Sequence, residues 1–182
     1  PNKQHTIYSY KLRDLEIVRP NQVWSTDITY IKTNAGTVYM AATIDWHSKA
    51  VLSWDISNTM DSSLVMNVLH EALDKHGAPE IFNTDQGSQY TSKIHVKTLL
   101  DRNITVSMDG KGRAVDNICI ERFWRSAKCE RIYLNQYKGI LDLKEDISDY
   151  IDFYNNRRFH ESIGYKKPLA FYHENLWERK VA

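Results

Sequence analysis

An α/β fold on a mixed five-stranded sheet, an antiparallel meander continued by parallel strands and flanked by helices, is what this 182-residue chain predicts. Three observations point there. Three runs rich in β-branched and aromatic residues open the chain one after another. Apolar residues then recur at helical spacing, interrupted by two further short strand-like runs. Glycine and proline punctuation falls between these segments. The resulting order, βββ-α-β-α-β-α with further helices appended, suits a sheet covered by helices on both faces.

Residues 1–20 read as an extended or weakly helical lead-in, closed by Pro20. The strand-like runs cover about 22–32, 37–46 and 50–58. Asn34-Ala35-Gly36 is a hairpin signal between the first two, and His47-Ser48-Lys49 is a tight connection between the second and third. Asp61 is suited to cap a helix in which Leu64, Val65, Val68, Leu69 and Leu73 share one face; Gly77 closes it and Pro79 blocks its continuation. Ile81 to Thr84 form a fourth strand, Thr91 or Ser92 caps a helix reaching about Arg102, and Ile104-Thr105-Val106 is a fifth strand. Residues 108–114 are glycine-rich, charged and expected to be mobile. A helix from about Asp116 to Arg131, capped by Asp116, is followed by one over about Leu141–Asn155 and a short one starting at Pro168. The chain thus divides into a lead-in (1–20), a core (21–160) and a C-terminal helical tail (161–182).

This length is one ordinary domain with room for a real core. No apolar run approaches the roughly 18 residues of a membrane span, and the N-terminus lacks the apolar region of a signal peptide. Cys119 and Cys129 lie ten apart on one predicted helix, about 15 Å along its axis. That excludes a disulfide and fits reduced thiols in a cytoplasmic protein. The net charge is only +1, but it is unevenly spread. Residues 1–109 hold 10 Lys and Arg against 12 Asp and Glu, whereas 110–182 hold 14 against 11.

Three acids stand out. Asp27 interrupts the β-branched run Val23-Trp24-Ser25-Thr26-Asp27-Ile28-Thr29-Tyr30, Asp85 ends the run Ile81-Phe82-Asn83-Thr84 before a turn, and Glu121 lies in a predicted helix. Thirty-five residues separate Asp85 from Glu121. A charge inside an apolar strand is costly without a partner, and three gathered carboxylates repel one another unless a cation lies between them. Hard oxygen ligands suit Mg²⁺ or Mn²⁺. Taken singly, each acid could equally be a surface or ion-paired residue.

The ordered set of motifs resembles the catalytic core of the retroviral-integrase superfamily, and more closely bacterial insertion-sequence transposases of the D,D(35)E type. The resemblance runs from about Arg19 to Tyr172. It rests on Trp24-Ser25-Thr26-Asp27, Ile44-Asp45-Trp46, Phe82-Asn83-Thr84-Asp85-Gln86-Gly87-Ser88, Ser107-Met108-Asp109-Gly110-Lys111-Gly112, Asp116-Asn117 through Glu121-Arg122-Phe123-Trp124, and Tyr154-Asn155-Asn156-Arg157-Arg158-Phe159-His160. It implies a ribonuclease-H-like fold with the first and fourth strands adjacent. It also implies a site of two Mg²⁺ or Mn²⁺ ions held by Asp27, Asp85 and Glu121, with Asp27 bridging, that hydrolyses phosphodiesters at transposon ends and transfers the strand. Transposon-end and target DNA, and a homodimer or larger assembly on it, are the implied partners. The resembling proteins carry an N-terminal DNA-recognition region, so this chain, which begins without Met, is expected to be a fragment. A structure-specific nuclease and an inactive DNA-binding relic are the competing readings.

On the predicted Glu121 helix, Asn117, Glu121, Arg125 and Lys128 share one face, while Ile120, Phe123 and Ala127 should bury. The resemblance makes Lys128 a DNA-end contact; Arg125 and Asn117 are further candidates. The bland reading of this face is a solvated one with Glu121–Arg125 pairing. Lys111 and Arg113 lie in a loop that is either a phosphate-gripping element or a plain connector. His160 is expected to pack the C-terminal segment or touch DNA, and Tyr30, Trp46 and His47 to be core or turn residues beside the site. The family's Thr or Ser before the helix-starting proline is Lys167 here, which puts that helix cap in doubt.

Overall fold

The computed structural model of the chain describes residues 6–110 and 114–181, with side chains over 6–110 and 116–176. Five strands, β1 (Val23–Thr33), β2 (Gly36–Asp45), β3 (Val51–Ser57), β4 (Ile81–Thr84) and β5 (Thr105–Met108), form one sheet in the order β3-β2-β1-β4-β5. The first three pair antiparallel as a meander; β4 and β5 add in parallel on the other side of β1. Five helices accompany them: α1 (Ser62–His76), α2 (Lys93–Leu100), α3 (Ile118–Glu130), α4 (Ile140–Asn156) and α5 (Pro168–Val181).

Period-two alternation along the strands delivers apolar side chains to both faces. On one face Ile31, Met40, Ile44, Val51 and Ile56 pack against Ile120, Phe123, Leu143 and Ile147 of α3 and α4. On the other, Trp24, Leu52 and Phe82 pack with Leu69, Leu73, Leu99 and Tyr172 of α1, α2 and α5. The caps act as local chemistry dictates. The Asp61 carboxylate accepts from the Ser63 N–H, the Ser92 hydroxyl accepts from the His95 N–H, and Gly77 takes φ 80° while its N–H donates to the Leu73 carbonyl.

Several expectations need correction. Asp116 does not cap α3: a 3-10 turn over Ala114–Asn117 precedes the helix, Asn117 is the boundary residue, and the Asp116 carboxylate instead accepts the Gly110 N–H at 3.0 Å. The helix from Pro168 is not short but runs 14 residues, because Tyr172 and Leu176 pack against the second core. The lead-in is partly tied down. The Lys11 N–H donates to the Ser107 hydroxyl at 3.0 Å, the Tyr10 hydroxyl donates to the Asp116 carbonyl at 3.3 Å, and Leu12 is buried. This segment therefore lies along β5, the edge strand. No described helix is long and apolar enough to cross a membrane.

Candidate active site

The parallel pairing of β1 with β4 sets Ser25 opposite Asn83. Two residues further along each chain come Asp27 and Asp85, so the register carries both carboxylates to the same level, at the end of β4. Period two puts Asp27 on the side of Ser25 and Ile31, the face that α3 covers. Two contacts fix α3 there. The indole N–H of buried Trp124 donates to Asp27 Oδ2 at 3.1 Å, and the Asn117 side-chain amide donates to the Thr26 carbonyl at 3.3 Å. Glu121 lies between these anchors on the exposed side of α3.

Electrostatics report the convergence. The Asp27 carboxyl is pushed up to about 6, first by burial and then by the negative charges of Asp85 and Glu121; the Ile28 backbone N–H and the Trp124 indole pull the other way. Among the described residues, none of the three acids has an ion-pair partner. The Glu121–Arg125 pair of the bland alternative is thus not formed among the described residues. Asp85 is exposed, and its Oδ1 accepts the Gly87 N–H at 2.8 Å. A Cβ at Gly87 would stand 2.9 Å from that same oxygen, so only glycine leaves the carboxylate its room.

Whether these residues fit a metal ion can be tested on the donor set. It is all hard oxygen, carries unneutralised negative charge, and raises the protonation of its own buried member, which is the strain a divalent cation relieves. Among the described residues no three or more His, Cys, Asp or Glu side chains are gathered closely enough to hold an ion as they stand. The backbone converges the acids and the exposed carboxylates of Asp85 and Glu121 have still to turn inward.

A fourth acid was missed. Asp109, at the end of β5, is buried, accepts the Asn83 side-chain amide at 2.7 Å, and is pushed up to about 7 by burial and then by Asp116, Asp85 and Asp27. The Asn83 side-chain oxygen in turn accepts the Ser107 hydroxyl at 2.7 Å. An acid closing a short apolar strand was the available signal, the same one that marked Asp85. Trp124 was also missed as a positioning group, since an indole in an apolar stripe looks like core.

The candidate DNA contacts separate. Arg125 is exposed, and Lys128 lies 5.4 Å from the centre of the Tyr30 ring. Tyr30 is itself 62% exposed and lies within β1, which corrects its reading as a core or turn residue. Asn117 is only 4% exposed and spends its amide on β1, so it is a brace between helix and strand and not a surface contact for DNA. Lys111 and Arg113 fall outside the described residues. His160 is buried and meets Tyr154 edge-on at 4.5 Å, as a packing residue does. Both cysteines are free.

Known proteins agree with this architecture. Sequence models of the integrase core domain match residues 18–114 and 102–168. The transposase for insertion sequence element IS904 of Lactococcus lactis is 38% identical over 155 residues, covering 84% of this chain and 61% of that protein. The transposase InsF for insertion sequence IS3A of Escherichia coli is 36% identical over 160 residues, covering 86% of this chain and 56% of that protein. Among solved structures, the catalytic core of BIV integrase superposes with a TM-score of 0.71 at 16% identity, over 88% of this chain and 99% of that one. The HTLV-2 integrase catalytic core in complex with magnesium gives 0.65 at 19% identity, over 86% and 99%. The fold is therefore the ribonuclease-H-like fold of retroviral integrase cores. The chain belongs to the integrase core domain family. It spans about three fifths of the length of the curated relatives it matches.

Proposed function

We propose that this domain hydrolyses phosphodiesters at transposon ends and transfers the freed strand to target DNA, with Asp27, Asp85 and Glu121 as its catalytic, metal-ligating residues. The observation that carries the reading is the convergence of the three acids: the β1–β4 register and the two anchors of α3 lead two strands and one helix to the same point. When bound, two Mg²⁺ or Mn²⁺ ions would supply charge stabilisation to the attacking and leaving oxygens of an in-line displacement.

The chain's own work is positioning. The Trp124 indole holds Asp27 Oδ2, so one carboxylate has an oxygen already oriented, and the Gly87 N–H tethers Asp85 Oδ1 at the turn from which it must swing inward. Glu121 approaches from a helix braced on either side of it, by Asn117 at its start and Trp124 in its middle. Arg125 and Lys128 follow it at one and two turns and would meet the sugar-phosphate backbone. The nucleophile is a water or a DNA 3′-hydroxyl, so the reaction needs no covalent protein intermediate. DNA, and a homodimer or larger assembly on it, are part of the same proposal; Asp109 would sit behind the triad as a supporting acid.

The test is strand joining on a pre-branched DNA substrate with Mn²⁺, comparing this chain with Asp27→Asn, Asp85→Asn and Glu121→Gln. Each variant should lose cutting and joining while melting at the parent temperature. Full activity in any one removes that residue from the mechanism, and cutting without joining by the parent reduces the domain to a nuclease.

A further inference from the structure

A cavity of about 450 Å³ opens on the side of α3 next to Glu121, and the triad chemistry makes no use of it. Its size lies within the roughly 300–1,000 Å³ of small-ligand sites. Trp46 forms one wall and is placed by its indole N–H, which donates to the Ser25 hydroxyl at 2.8 Å. Ser25 is two residues before Asp27 on the same face of β1, and Arg122, another lining residue, directly follows Glu121. The cavity therefore shares α3 with Glu121 and reaches β1 through Trp46, although none of the three acids lines it. The opposite wall comes from the segment after α4, where Phe159 and Tyr165 are 61% and 66% exposed.

The lining has a defined chemistry. Lys49, Arg122 and Arg125 contribute positive charge, and Glu161 is the one acid among the lining residues. Among the described residues neither Arg122 nor Arg125 pairs with a carboxylate, whereas Arg131, Arg157 and Arg158 all do. Arg158, also on the wall, gives its charge to Glu130 at 2.6 Å, which leaves the first three cations as the uncompensated ones. The buried His160 ring beside them is pushed down to about 4, first by burial and then by Arg158, with Lys49 adding to the effect; it lines the wall as a neutral ring. Unpaired cations interleaved with exposed rings form the combination that grips a phosphate and stacks a base at once. A phosphate alone gives the rings no purpose, and an apolar peptide gives the arginines none.

We propose that this cavity is a subsite for one unpaired nucleotide of the DNA substrate, its base stacked on Phe159 and Tyr165 and its phosphate held by Arg122 and Lys49. The subsite rests on the reading of the domain as a DNA-processing core, and it deepens that reading: the substrate must present an unpaired nucleotide beside the scissile phosphate. It also gives the Tyr154–His160 motif a role, since Tyr154, Arg158 and His160 build the wall that positions Phe159.

The experiment measures binding to labelled hairpin DNA by fluorescence anisotropy in EDTA, where no catalysis intervenes. Three ends are compared: fully paired, with one unpaired nucleotide, and with an abasic unit at that unpaired position. The parent chain should bind the unpaired-base end about tenfold more tightly than the abasic end, the scale of one base–aromatic stack. Phe159→Ala combined with Tyr165→Ala should erase that preference and leave abasic-end affinity unchanged. Arg122→Gln combined with Lys49→Gln should weaken all ends. Thermal melting checks that each variant is folded. A 5-iodouracil at the unpaired position should photo-crosslink to the peptide holding Phe159 or to Trp46. Equal affinity for base and abasic ends, a preference that survives the double aromatic variant, or a crosslink elsewhere each overturns the subsite. Glu121→Gln separates the two readings. If it still cuts DNA the triad assignment fails, while a retained base preference in EDTA keeps the subsite standing.

Discussion

Asp85 shows how much a single backbone amide can decide. Its Oδ1 accepts from Gly87, and a methyl group at that position would press on the same oxygen. Gly87→Ala should therefore reduce DNA cleavage roughly a hundredfold, the cost of misplacing a catalytic group by about an ångström. It should change stability by less than about 1 kcal/mol, because the turn is at the surface. Single-turnover cleavage alongside chemical denaturation checks both halves. Trp124 acts on Asp27 in the same way. Trp124→Phe keeps the ring in the core but removes the one side-chain donor to that carboxylate among the described residues. The donor favours the charged form, so its loss should raise the Asp27 pKa above about 6, as followed by carboxyl-carbon NMR titration. An unchanged titration would mean that the indole contributes packing alone.

At the scale of elements, the sheet's free edge at β3 is closed by one side chain. The Asn155 amide of α4 accepts from the Val51 N–H at 2.9 Å and donates to the Val51 carbonyl at 2.8 Å, copying what a neighbouring strand would do. The site is buried, so Asn155→Ala would strand two backbone groups, each worth about 1–3 kcal/mol when left unsatisfied. We expect a loss of roughly 2–4 kcal/mol in urea denaturation. Asn155→Asp, which can still accept from Val51 but cannot donate, should recover part of it. This contact, with Leu143, Ile147 and Tyr154 in the shared core, holds α4 against the sheet.

For the whole molecule, acid stability is a contest between buried groups of opposite sign. Burial pushes His95 down to about 4, with a hydrogen bond to the Tyr90 backbone pulling the other way. The folded state thus binds fewer protons than the unfolded one between about pH 6.5 and 4, so the His95 contribution is complete above pH 6.5 and is lost as pH falls through that window. The loss is roughly 3 kcal/mol at most. Asp109, pushed up to about 7, works in the opposite direction: its folded form keeps a proton that the unfolded chain releases, which adds stability as pH falls below about 7. His95→Phe should therefore flatten the decline of stability between pH 6.5 and 4, and Asp109→Asn should steepen it, in denaturant titrations run at each pH. A parallel shift at all pH values would show that these groups do not titrate as argued.

The sequence by itself determined the five strands and the principal helices, because period-two and period-3.6 patterns and the caps Asp61, Ser92 and Gly77 are local chemistry. It also marked Asp27 and Asp85, since a charge in or at the end of an apolar run stands out against its neighbours, and the family resemblance added Glu121. What it left open depended on partners distant in the chain. Nothing local tells that Asp109 faces Asn83 across a parallel ladder, that Trp124 reaches Asp27 from 97 residues away, or that Asn117 turns inward to Thr26 and so leaves the exposed face of α3. The helix-face placement of Asn117 assumed that the helix already included it, whereas a 3-10 turn over Ala114–Asn117 precedes α3. The cavity between Arg122 and Tyr165 exists only once α4 is docked on β3, so packing of elements far apart in sequence decided it.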